Sequence, residues 1–511
     1  MSFLEIIQKR AKETPDKPAL IFRDQSISFG ALLAKSFRLA NNLRRLGVKK
    51  GDRVAIFLPN WPQYLYSYVA IWCCGATAVP LDFMLTEDEI TSCVSHSETK
   101  VLIAQSKANV SLQRLKDACP SLKEIIASPP SPCAQGLGGE SVKPFLSFEE
   151  LSENGNALFP DVAVQDKDYA IIFYTSGTTG KPKGVLVNYA QLYAPPKAMV
   201  YFVDVKESDT SICALPFSHL GGLVYIQTSI TYGHAFVLME RFIPLEFLKN
   251  AGVHKVNWFW LVPSMYYALL HLKEFESFDL SNLRWIVTFG ASSSPDALRR
   301  FHQYCPQAHL LNGWGMTETN APTVVLRRGS TKIESIGRPV PWIEMKIFND
   351  EDKEVRQGEV GEIVAKGWTV TDGYYKDPEL TREAMCGGWF HTGDLGRMDG
   401  EGDLYIVGRK KEMIKVAGEI VFEPEIEAVL QGHPAVAEVA VVAAPDNLRG
   451  EVPKAFIAVK AGISVTEEGL RQFCRQHLAH FKIPHYFEFM PSLPKNRTGK
   501  IDKEKLRKTA L

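Results

Sequence analysis

AIIFYTSGTTGKPKG, residues 170–184, joins an apolar strand to a loop of glycines, hydroxyls and lysines. Glycines let successive backbone N–H groups turn toward one ligand, and the hydroxyl and ammonium groups add donors and positive charge. This combination suits phosphate oxygens. The loop is not a Walker A motif, because Pro182 follows Lys181 where that motif needs Ser or Thr. The residues expected to bind phosphate are Thr175, Ser176, Gly177, Thr178, Thr179, Gly180 and Lys183.

Apolar runs of strand length alternate with segments of helical period on both sides of this loop. The runs are 54–58, 78–81, 101–104, 170–174, 210–215, 235–238 and 285–289. Such alternation is typical of crossover units, in which helices cover the faces of a parallel sheet. The pattern predicts an α/β fold with a large N-terminal domain of mainly parallel sheets flanked by helices.

The pattern changes near residue 408, where GRKKE at 408–412 places four charges in a row. A compact set of predicted elements follows, comprising strands 413–416, 436–444 and 455–459 and helices 424–430 and 467–480. About a hundred residues is an ordinary domain size. We therefore predict a large domain over 1–408 and a small, mobile α+β domain over 409–511, with a hinge near Lys411.

Charge and cysteine content limit the class of protein and its partners. The 511 residues include 58 Lys and Arg and 58 Asp and Glu, so the net charge is zero and a nucleic-acid partner is disfavoured. Nine scattered cysteines favour a reduced, cytoplasmic protein. The uncharged stretch 54–81 is cut by prolines and Gly75, which argues against a membrane-spanning helix and leaves peripheral membrane contact open.

The glycine-rich loop is similar to the signature of the adenylate-forming superfamily of acyl-CoA synthetases, adenylation domains and beetle luciferases. Further motifs follow in the order of that family: NGWGMTE at 312–318, IGRP at 336–339, GYY at 373–375, HTGD at 391–394, GRKK at 408–411, KVAG at 415–418 and PKNRTGK at 494–500. The match covers nearly the whole chain, and within the family the sequence most resembles a fatty-acid–CoA ligase. It implies an enzyme that uses ATP, Mg²⁺ and coenzyme A. The acid and ATP would give acyl-AMP and pyrophosphate, and CoA would then give the thioester and AMP.

The resemblance also assigns nucleotide contacts. Thr317 would contact the α-phosphate and Glu318 the Mg²⁺, an ion that prefers oxygen ligands. Trp314 stands where the family usually has Tyr and would stack on adenine with its indole ring. Asp394 would accept hydrogen bonds from the ribose hydroxyls. Phe289 stands where relatives often have a small residue. The remaining nucleotide contacts implied are Gly290, Ala291, Gly315 and Arg409.

Lys500 has the central electrostatic role by the same resemblance. Joining a carboxylate to the α-phosphorus brings two anions together, so a bridging cation stabilises the transition state more than the separated reactants. Lys415 and Gly418 belong to the other face of the small domain. In the family this face replaces the one bearing Lys500 before the thiol attacks, and a hinge near Lys411 would absorb that change.

The acid pocket is expected around residues 216–220, PFSHL, which contain no acidic residue to pair with a substrate ammonium. His219 resembles the family's gate beside this pocket, and Gly221, Tyr225 and Gly313 should line it. Small residues would leave volume for a medium- or long-chain fatty acid. The alternatives are an aryl or other bulky apolar acid, or an adenylating enzyme that loads a separate carrier protein.

Three functions of other kinds are alternatives to an acid–CoA ligase. A phosphate-loop ATPase would release ADP instead of AMP. An inactive nucleotide-binding protein would be expected to lack Lys500 or Glu318, and both are present. A luciferase-type monooxygenase shares the adenylation step and is disfavoured.

Overall fold

The structure is a computed structural model that describes residues 1–107, 109–129, 145–175, 183–290, 295–320, 322–416, 419–446, 448–495 and 501–510. The chain forms two compact units. The first comprises Met1–Thr331, Pro339–Ile343 and Gly367–Met385, and the second Lys332–Arg338, Glu344–Lys366 and Cys386–Leu511. The predicted boundary at residue 408 and the hinge near Lys411 stay predictions.

Strands and helices alternate along the described residues. The strands are β1 Pro18–Phe22, β2 Gln25–Ser28, β3 Arg53–Phe57, β4 Thr77–Pro80, β5 Val101–Gln105, β6 Glu124–Ser128, β7 Leu146–Ser147, β8 Tyr169–Thr175, β9 Lys183–Asn188, β10 Thr210–Cys213, β11 Ala235–Leu238, β12 Trp258–Leu261, β13 Trp285–Thr288, β14 His309–Trp314, β15 Val324–Val325, β16 Arg338–Pro339, β17 Ile343–Phe348, β18 Gly361–Gly367, β19 Phe390–Met398, β20 Leu404–Arg409, β21 Met413–Val416, β22 Glu419–Phe422, β23 Val436–Asp446, β24 Gly450–Val459 and β25 Tyr486–Phe489. The helices are α1 Phe3–Glu13, α2 Phe29–Arg45, α3 Pro62–Cys73, α4 Glu87–Ser97, α5 Leu112–Ala118, α6 Phe148–Glu153, α7 Ala194–Val203, α8 Leu220–Tyr232, α9 Pro244–Val253, α10 Pro263–Leu270, α11 Pro295–Tyr304, α12 Pro378–Ala384, α13 Glu423–Gln431, α14 Glu467–His477 and α15 Lys503–Ala510.

Two mainly parallel sheets form the centre of the first unit. One has the order β7-β6-β5-β3-β4-β8-β9, with β9 antiparallel to β8. The other includes the order β14-β13-β12-β10-β11-β1, parallel throughout, with β2 antiparallel to β1. Every residue of β5 is buried, as expected of a strand whose sheet is covered on both faces. The predicted α/β fold is confirmed.

The uncharged stretch 54–81 forms β3, α3 and β4, so the predicted strands 54–58 and 78–81 are found as β3 and β4. Pro62 occupies the first turn of α3, where its missing N–H leaves no hydrogen bond unmade. Trp72 of α3 packs edge to face on Phe3 of α1, with ring centroids 5.5 Å apart. Within the described residues, no helix is both long enough and apolar enough to cross a membrane.

The second unit contains an antiparallel sheet in the order β17-β18-β19-β20 and a second sheet in the order β22-β21-β24-β23, with β25 beside β24. The predicted strand 413–416 matches β21, and the predicted helix 424–430 lies within α13. Strands β23 and β24 are longer than predicted because they pair with each other along their whole length. Helix α14 ends at His477, since Leu478 is extended.

Helix α15 is anchored to α13 by a buried carboxylate. Glu423 is 1% exposed, and its oxygens lie 2.9 Å from Lys503 Nζ and 3.0 Å from Arg507 Nη2. Burial raises the pKa of Glu423, and the charges of Lys503 and Arg507 oppose that rise. Leu506, between the two cations, belongs to an apolar cluster with residues of β23 and β24. Both the charge pairs with Glu423 and the apolar packing of Leu506 therefore hold α15 against the rest of the second unit.

Replacing Glu423 with Ala should destabilise the second unit by about 3–5 kcal/mol, because it leaves two partly buried cations without their shared carboxylate. Urea unfolding, followed by hydrogen exchange of the α13 and α15 amides, measures the change.

Glu425→Ala is the matched control. Its carboxylate lies in the same helical turn and pairs with Lys482 at 2.6 Å, but it is far more exposed, so the loss should stay below about 1 kcal/mol. Equal losses in the two variants would contradict the role given to the buried cluster.

Candidate active site

The glycine-rich loop is carried between two antiparallel strands of the first unit. Thr175 ends β8, Lys183 begins β9, and these two residues are partners across the pair. The structure thus holds both ends of the loop together at the base of a hairpin. The other predicted phosphate ligands, Ser176, Gly177, Thr178, Thr179 and Gly180, lie outside the described residues.

Residues 371–375 run beside β9 and connect the end of this loop to the predicted metal ligand. The backbone N–H of Tyr375 donates to the carbonyl of Gly184 at 2.7 Å. At the other end of the segment, the N–H of Thr371 donates to the carbonyl of Glu318 at 2.7 Å. Backbone hydrogen bonds therefore connect the exit of the phosphate loop to Glu318, far apart in sequence, through one short segment.

Glu318 lies in the 3-10 turn Thr317–Thr319, which follows β14 closely. Its carboxylate oxygen Oε1 accepts a hydrogen bond from the hydroxyl of Tyr374 at 3.1 Å. Burial, and then the charge of Glu318, raise the pKa of Tyr374 far above its usual range, so the phenol keeps its proton. A nine-tenths buried carboxylate held in this way offers oxygen to a hard cation such as Mg²⁺.

Tyr374 belongs to the motif GYY at 373–375, but the sequence alone indicated no role for it. Tyr374 and Glu318 are 56 residues apart, and no local pattern relates them. A second hydrogen bond holds the turn that carries Glu318. The side-chain amide of Asn320, at the end of this turn, donates to the backbone carbonyl of Gln191 at 2.8 Å. Asn320 has a left-handed φ of +52°, a conformation that Asn tolerates better than most residues.

The predicted adenine contacts lie at the ends of neighbouring parallel strands. Trp314 is the last residue of β14, and Gly290 comes two residues after β13. Nucleotides bind outside the carboxyl ends of strands in open α/β sheets, so this placement suits the prediction. Gly290 has φ +96°, which a side chain would strain. Gly315 follows directly after β14, and Ala291 lies outside the described residues.

Phe289 takes the space that Gly313 frees. A Cβ at Gly313 would lie 2.4 Å from Phe289 Cζ and 2.5 Å from the carbonyl oxygen of Val324. The Phe289 ring is buried and packs on Trp260 with centroids 4.8 Å apart. An aromatic ring and a neighbouring strand therefore occupy the space on the side-chain side of Gly313, and its place in the lining of the acid pocket stays a prediction.

The other predicted pocket residues differ in surroundings. Among the described residues, a Cβ at Gly221 would meet one atom within 4 Å, Leu215 Cδ1 at 3.1 Å, so those residues leave space on this side of α8. Tyr225 is fully buried, stacks on Trp258 at 5.0 Å, and accepts a hydrogen bond from the backbone N–H of Trp260 at 2.7 Å. Tyr225 thus packs in the core, and its contact with a substrate stays a prediction.

His219 precedes α8, and its Nε2 lies 2.8 Å from the carboxylate of Asp82. Asp82 follows β4 in one sheet, and His219 comes from the connection after β10 in the other. The buried amide of Asn60 reinforces this junction. Its Nδ2 donates to the carbonyl of Leu215 at 2.7 Å, and its Oδ1 accepts from the N–H of Phe217 at 2.9 Å. The segment that carries His219 is therefore held at several points.

The second unit carries the predicted ribose contacts. Asp394 of β19 is buried, pairs across the sheet with Arg409 of β20, and accepts a hydrogen bond from Arg409 Nε at 2.8 Å. A carboxylate has only acceptor oxygens when it is ionised, so Asp394 can accept hydrogen bonds from hydroxyls. Lys415 lies in β21, and Gly418 and Lys500 lie outside the described residues.

Gly313→Ala should destabilise the first unit by about 1–3 kcal/mol, since the added methyl group overlaps both an aromatic ring and a strand carbonyl. Thermal or urea unfolding of the full chain measures the loss. Phe289→Leu in the same chain should recover part of the loss, because it removes the ring contact but not the overlap with Val324.

Gly400→Ala is the control, since a Cβ there would come no closer than 3.9 Å to another side chain in the part of the protein that the structure describes. Its stability should match that of the wild type. A stable Gly313→Ala variant would show that Phe289 and the strand of Val324 can move aside, and would contradict the close packing assigned to Gly313.

Comparison with known proteins supports the same assignment. The sequence model of the AMP-binding enzyme family matches residues 7–375, and that of the AMP-binding enzyme C-terminal domain matches residues 425–500. A long-chain-fatty-acid–CoA ligase of Bacillus subtilis (strain 168) is 32% identical, over 98% of this chain and 93% of that protein. A 2-succinylbenzoate–CoA ligase of Bacillus velezensis is 33% identical, over 98% of this chain and 96% of that protein.

A solved structure agrees with these sequence matches. The crystal structure of an anthranilate CoA ligase in complex with anthranoyl-AMP superposes with a TM-score of 0.91 at 27% identity, over 100% of this chain and 97% of that chain. The resemblance noted from the motifs is thereby confirmed. The chain belongs to the AMP-binding enzyme family, a family of AMP-forming ligases.

Proposed function

We propose that the protein is an acid–CoA ligase that activates a medium- or long-chain fatty acid with ATP and transfers the acyl group to CoA. The observation that carries the proposal is the connection between the phosphate loop and Glu318. Residues 371–375 bond to β9 at one end and to the turn of Glu318 at the other, and Tyr374 orients the carboxylate. A glycine-rich loop whose exit is bonded to the segment that orients a carboxylate suits a nucleoside triphosphate with its metal ion.

The first unit would position ATP and the acid. The loop ends at Thr175 and Lys183 would hold the β- and γ-phosphates, Thr317 the α-phosphate, and Trp314 the adenine ring. Glu318 would hold Mg²⁺, and this ion, when bound, offsets negative charge on the departing pyrophosphate. Tyr374 acts as a positioning residue, since its hydroxyl fixes which way the Glu318 carboxylate faces.

The second unit would supply the remaining groups. Asp394 would accept hydrogen bonds from the ribose hydroxyls, and Arg409 holds that carboxylate in place at 2.8 Å. Lys500 would bridge the carboxylate of the acid and the α-phosphate during adenylation. Lys415 and Gly418 would take part after acyl-AMP has formed, when the CoA thiol attacks its carbonyl carbon and AMP leaves.

An apolar acid fits the surroundings of His219 best. Residues 216–220 contain no acidic residue, and Asp82, which follows β4, is already paired with His219 at 2.8 Å. The space beside Gly221 supports a fatty acid. The Trp260–Phe289 pair favours the second candidate, an aryl or other bulky apolar acid, since an aromatic wall suits a flat ring.

The eight cysteines described form no disulfide, which supports the proposed cytoplasmic location.

Lys500→Ala should lower the rate of acyl-AMP formation by about 10²–10³-fold, because the bridging charge acts only when the two anions meet. Thioester formation from supplied acyl-AMP should change little. Measuring the half-reactions separately tests this, and an equal loss in both would remove Lys500 from the adenylation step.

A panel of acids of increasing chain length, scored by CoA-dependent AMP release and by thioester formation, tests the proposed substrate. The wild type should show its highest kcat/KM with medium or long chains. Gly221→Phe should lower kcat/KM for long chains by about 10–100-fold while sparing short ones, because the ring fills the space beside Leu215.

Gly221→Ala is the matched control, since a single methyl group requires a shift of only a few tenths of an ångström at Leu215. It should keep long-chain activity. If Gly221→Phe lost activity equally on every acid while the alanine variant stayed active, the residue would affect the His219 segment and not chain length. Highest activity on aromatic acids would favour the second candidate.

A further inference from the structure

Three side chains of different chemistry meet in the second unit, and none of them has a role in the proposed reaction. Cys386 precedes β19, His391 lies within it, and Asp352 lies in the turn after β17. Their Sγ, ring nitrogen and carboxylate oxygen all lie within 4.8 Å of one another. Cys386 Sγ is 3.3 Å and His391 Nε2 is 3.9 Å from the Asp352 carboxylate.

The ring of His391 is oriented by a fourth residue. Its Nδ1 lies 3.2 Å from Glu362 Oε2, and the other oxygen of Glu362 accepts from the N–H of Gly393 at 3.0 Å. A proton on Nδ1, donated to Glu362, leaves a lone pair on Nε2. That Nε2 atom is buried and has no hydrogen-bond partner among the described residues.

We propose that Cys386, His391 and Asp352 form a binding site for a transition-metal ion of the Zn²⁺ class. Sulfur, imidazole nitrogen and carboxylate oxygen are the ligands of such ions, and a water molecule would complete a tetrahedron. Metal–ligand bonds of about 2.0–2.3 Å place neighbouring ligands about 3.5 Å apart. The observed spacing is therefore close to that of a three-residue site.

Glu362 supplies the support that metal-binding histidines usually have. A carboxylate on the remote ring nitrogen fixes the tautomer and makes the other nitrogen a better ligand. Lys410 Nζ, 3.4 Å from the same Glu362 oxygen, balances part of the negative charge. On binding, the thiol of Cys386 would lose its proton to water and coordinate as the thiolate.

The site would join two segments that are separate along the chain. Asp352 has φ +55° in the turn between β17 and β18, and Cys386 begins the short turn that leads into β19. A bound ion would join the turn that carries Asp352 to the start of β19, the strand that carries Asp394. The expected consequence is greater stability of the second unit, because the ion binds the folded chain only.

Cobalt provides the probe, because a Co²⁺ ion bound to a thiolate gives a near-ultraviolet charge-transfer band. Full-length protein freed of metal by a chelator should bind one equivalent of Co²⁺ with this band, lose the band on addition of Zn²⁺, and unfold at a higher temperature with Zn²⁺. Cys386→Ser should abolish the band and lower Zn²⁺ affinity by at least tenfold, and Glu362→Gln should keep the band but weaken binding by about tenfold.

Glu351→Gln is the matched control. It removes one negative charge from the same turn, where Glu351 pairs with Lys353 at 2.9 Å, but it removes no proposed ligand. Its band and affinity should equal those of the wild type. Cys386 is exposed, so the serine variant should fold, and a circular dichroism spectrum without metal checks this. Absence of the band in wild type, or its persistence in Cys386→Ser, would overturn the proposal.

Discussion

The backbone pairing of residues 371–375 with β9 is the constraint on which the candidate site depends. The segment bonds to Gly184 at the exit of the glycine-rich loop and to Glu318 at the turn after β14. Because Gly184 belongs to one sheet and Glu318 follows a strand of the other, these bonds also connect the two sheets of the first unit. Tyr374 then uses its side chain to orient the carboxylate that the backbone has positioned.

Local patterns were enough to predict several elements of the fold. The run 235–238 is β11, and the uncharged stretch after residue 54 folds into β3, α3 and β4 because proline and glycine set its divisions. The motifs also indicated Glu318, Asp394 and Trp314 as candidate site residues, since the residue types and their order are visible in the sequence. Such features depend on neighbours along the chain, and sequence records those directly.

Partners brought together by tertiary structure were not predictable in this way. Asp82 pairs with His219 across 137 residues, and Tyr374 reaches Glu318 across 56. Gly313 illustrates the same limit, because a glycine can mean open space or close packing, and here the ring of Phe289 fills the space. The Cys386, His391 and Asp352 cluster combines an exposed turn with a strand, so only the folded chain reveals it.

The difference between local patterns and tertiary contacts also explains why the sequence indicates the type of reaction better than it indicates the identity of the acid. Phosphate and metal chemistry require particular residue types, whereas an apolar pocket is defined by the volume that packed side chains leave. Volume depends on side chains from several elements, as the contrast between Gly221 and Gly313 shows. Motifs therefore specify the nucleotide chemistry, and the shape of the apolar wall specifies the acid.

The most direct test of this function follows oxygen from the acid. In adenylation the carboxylate oxygen attacks the α-phosphorus, and that oxygen stays with AMP when the CoA thiol takes the acyl group. An apolar acid labelled with ¹⁸O in its carboxylate, incubated with ATP, Mg²⁺ and CoA, should transfer one labelled oxygen to AMP and none to inorganic phosphate. Label in inorganic phosphate, with ADP as the nucleotide product, would contradict the account.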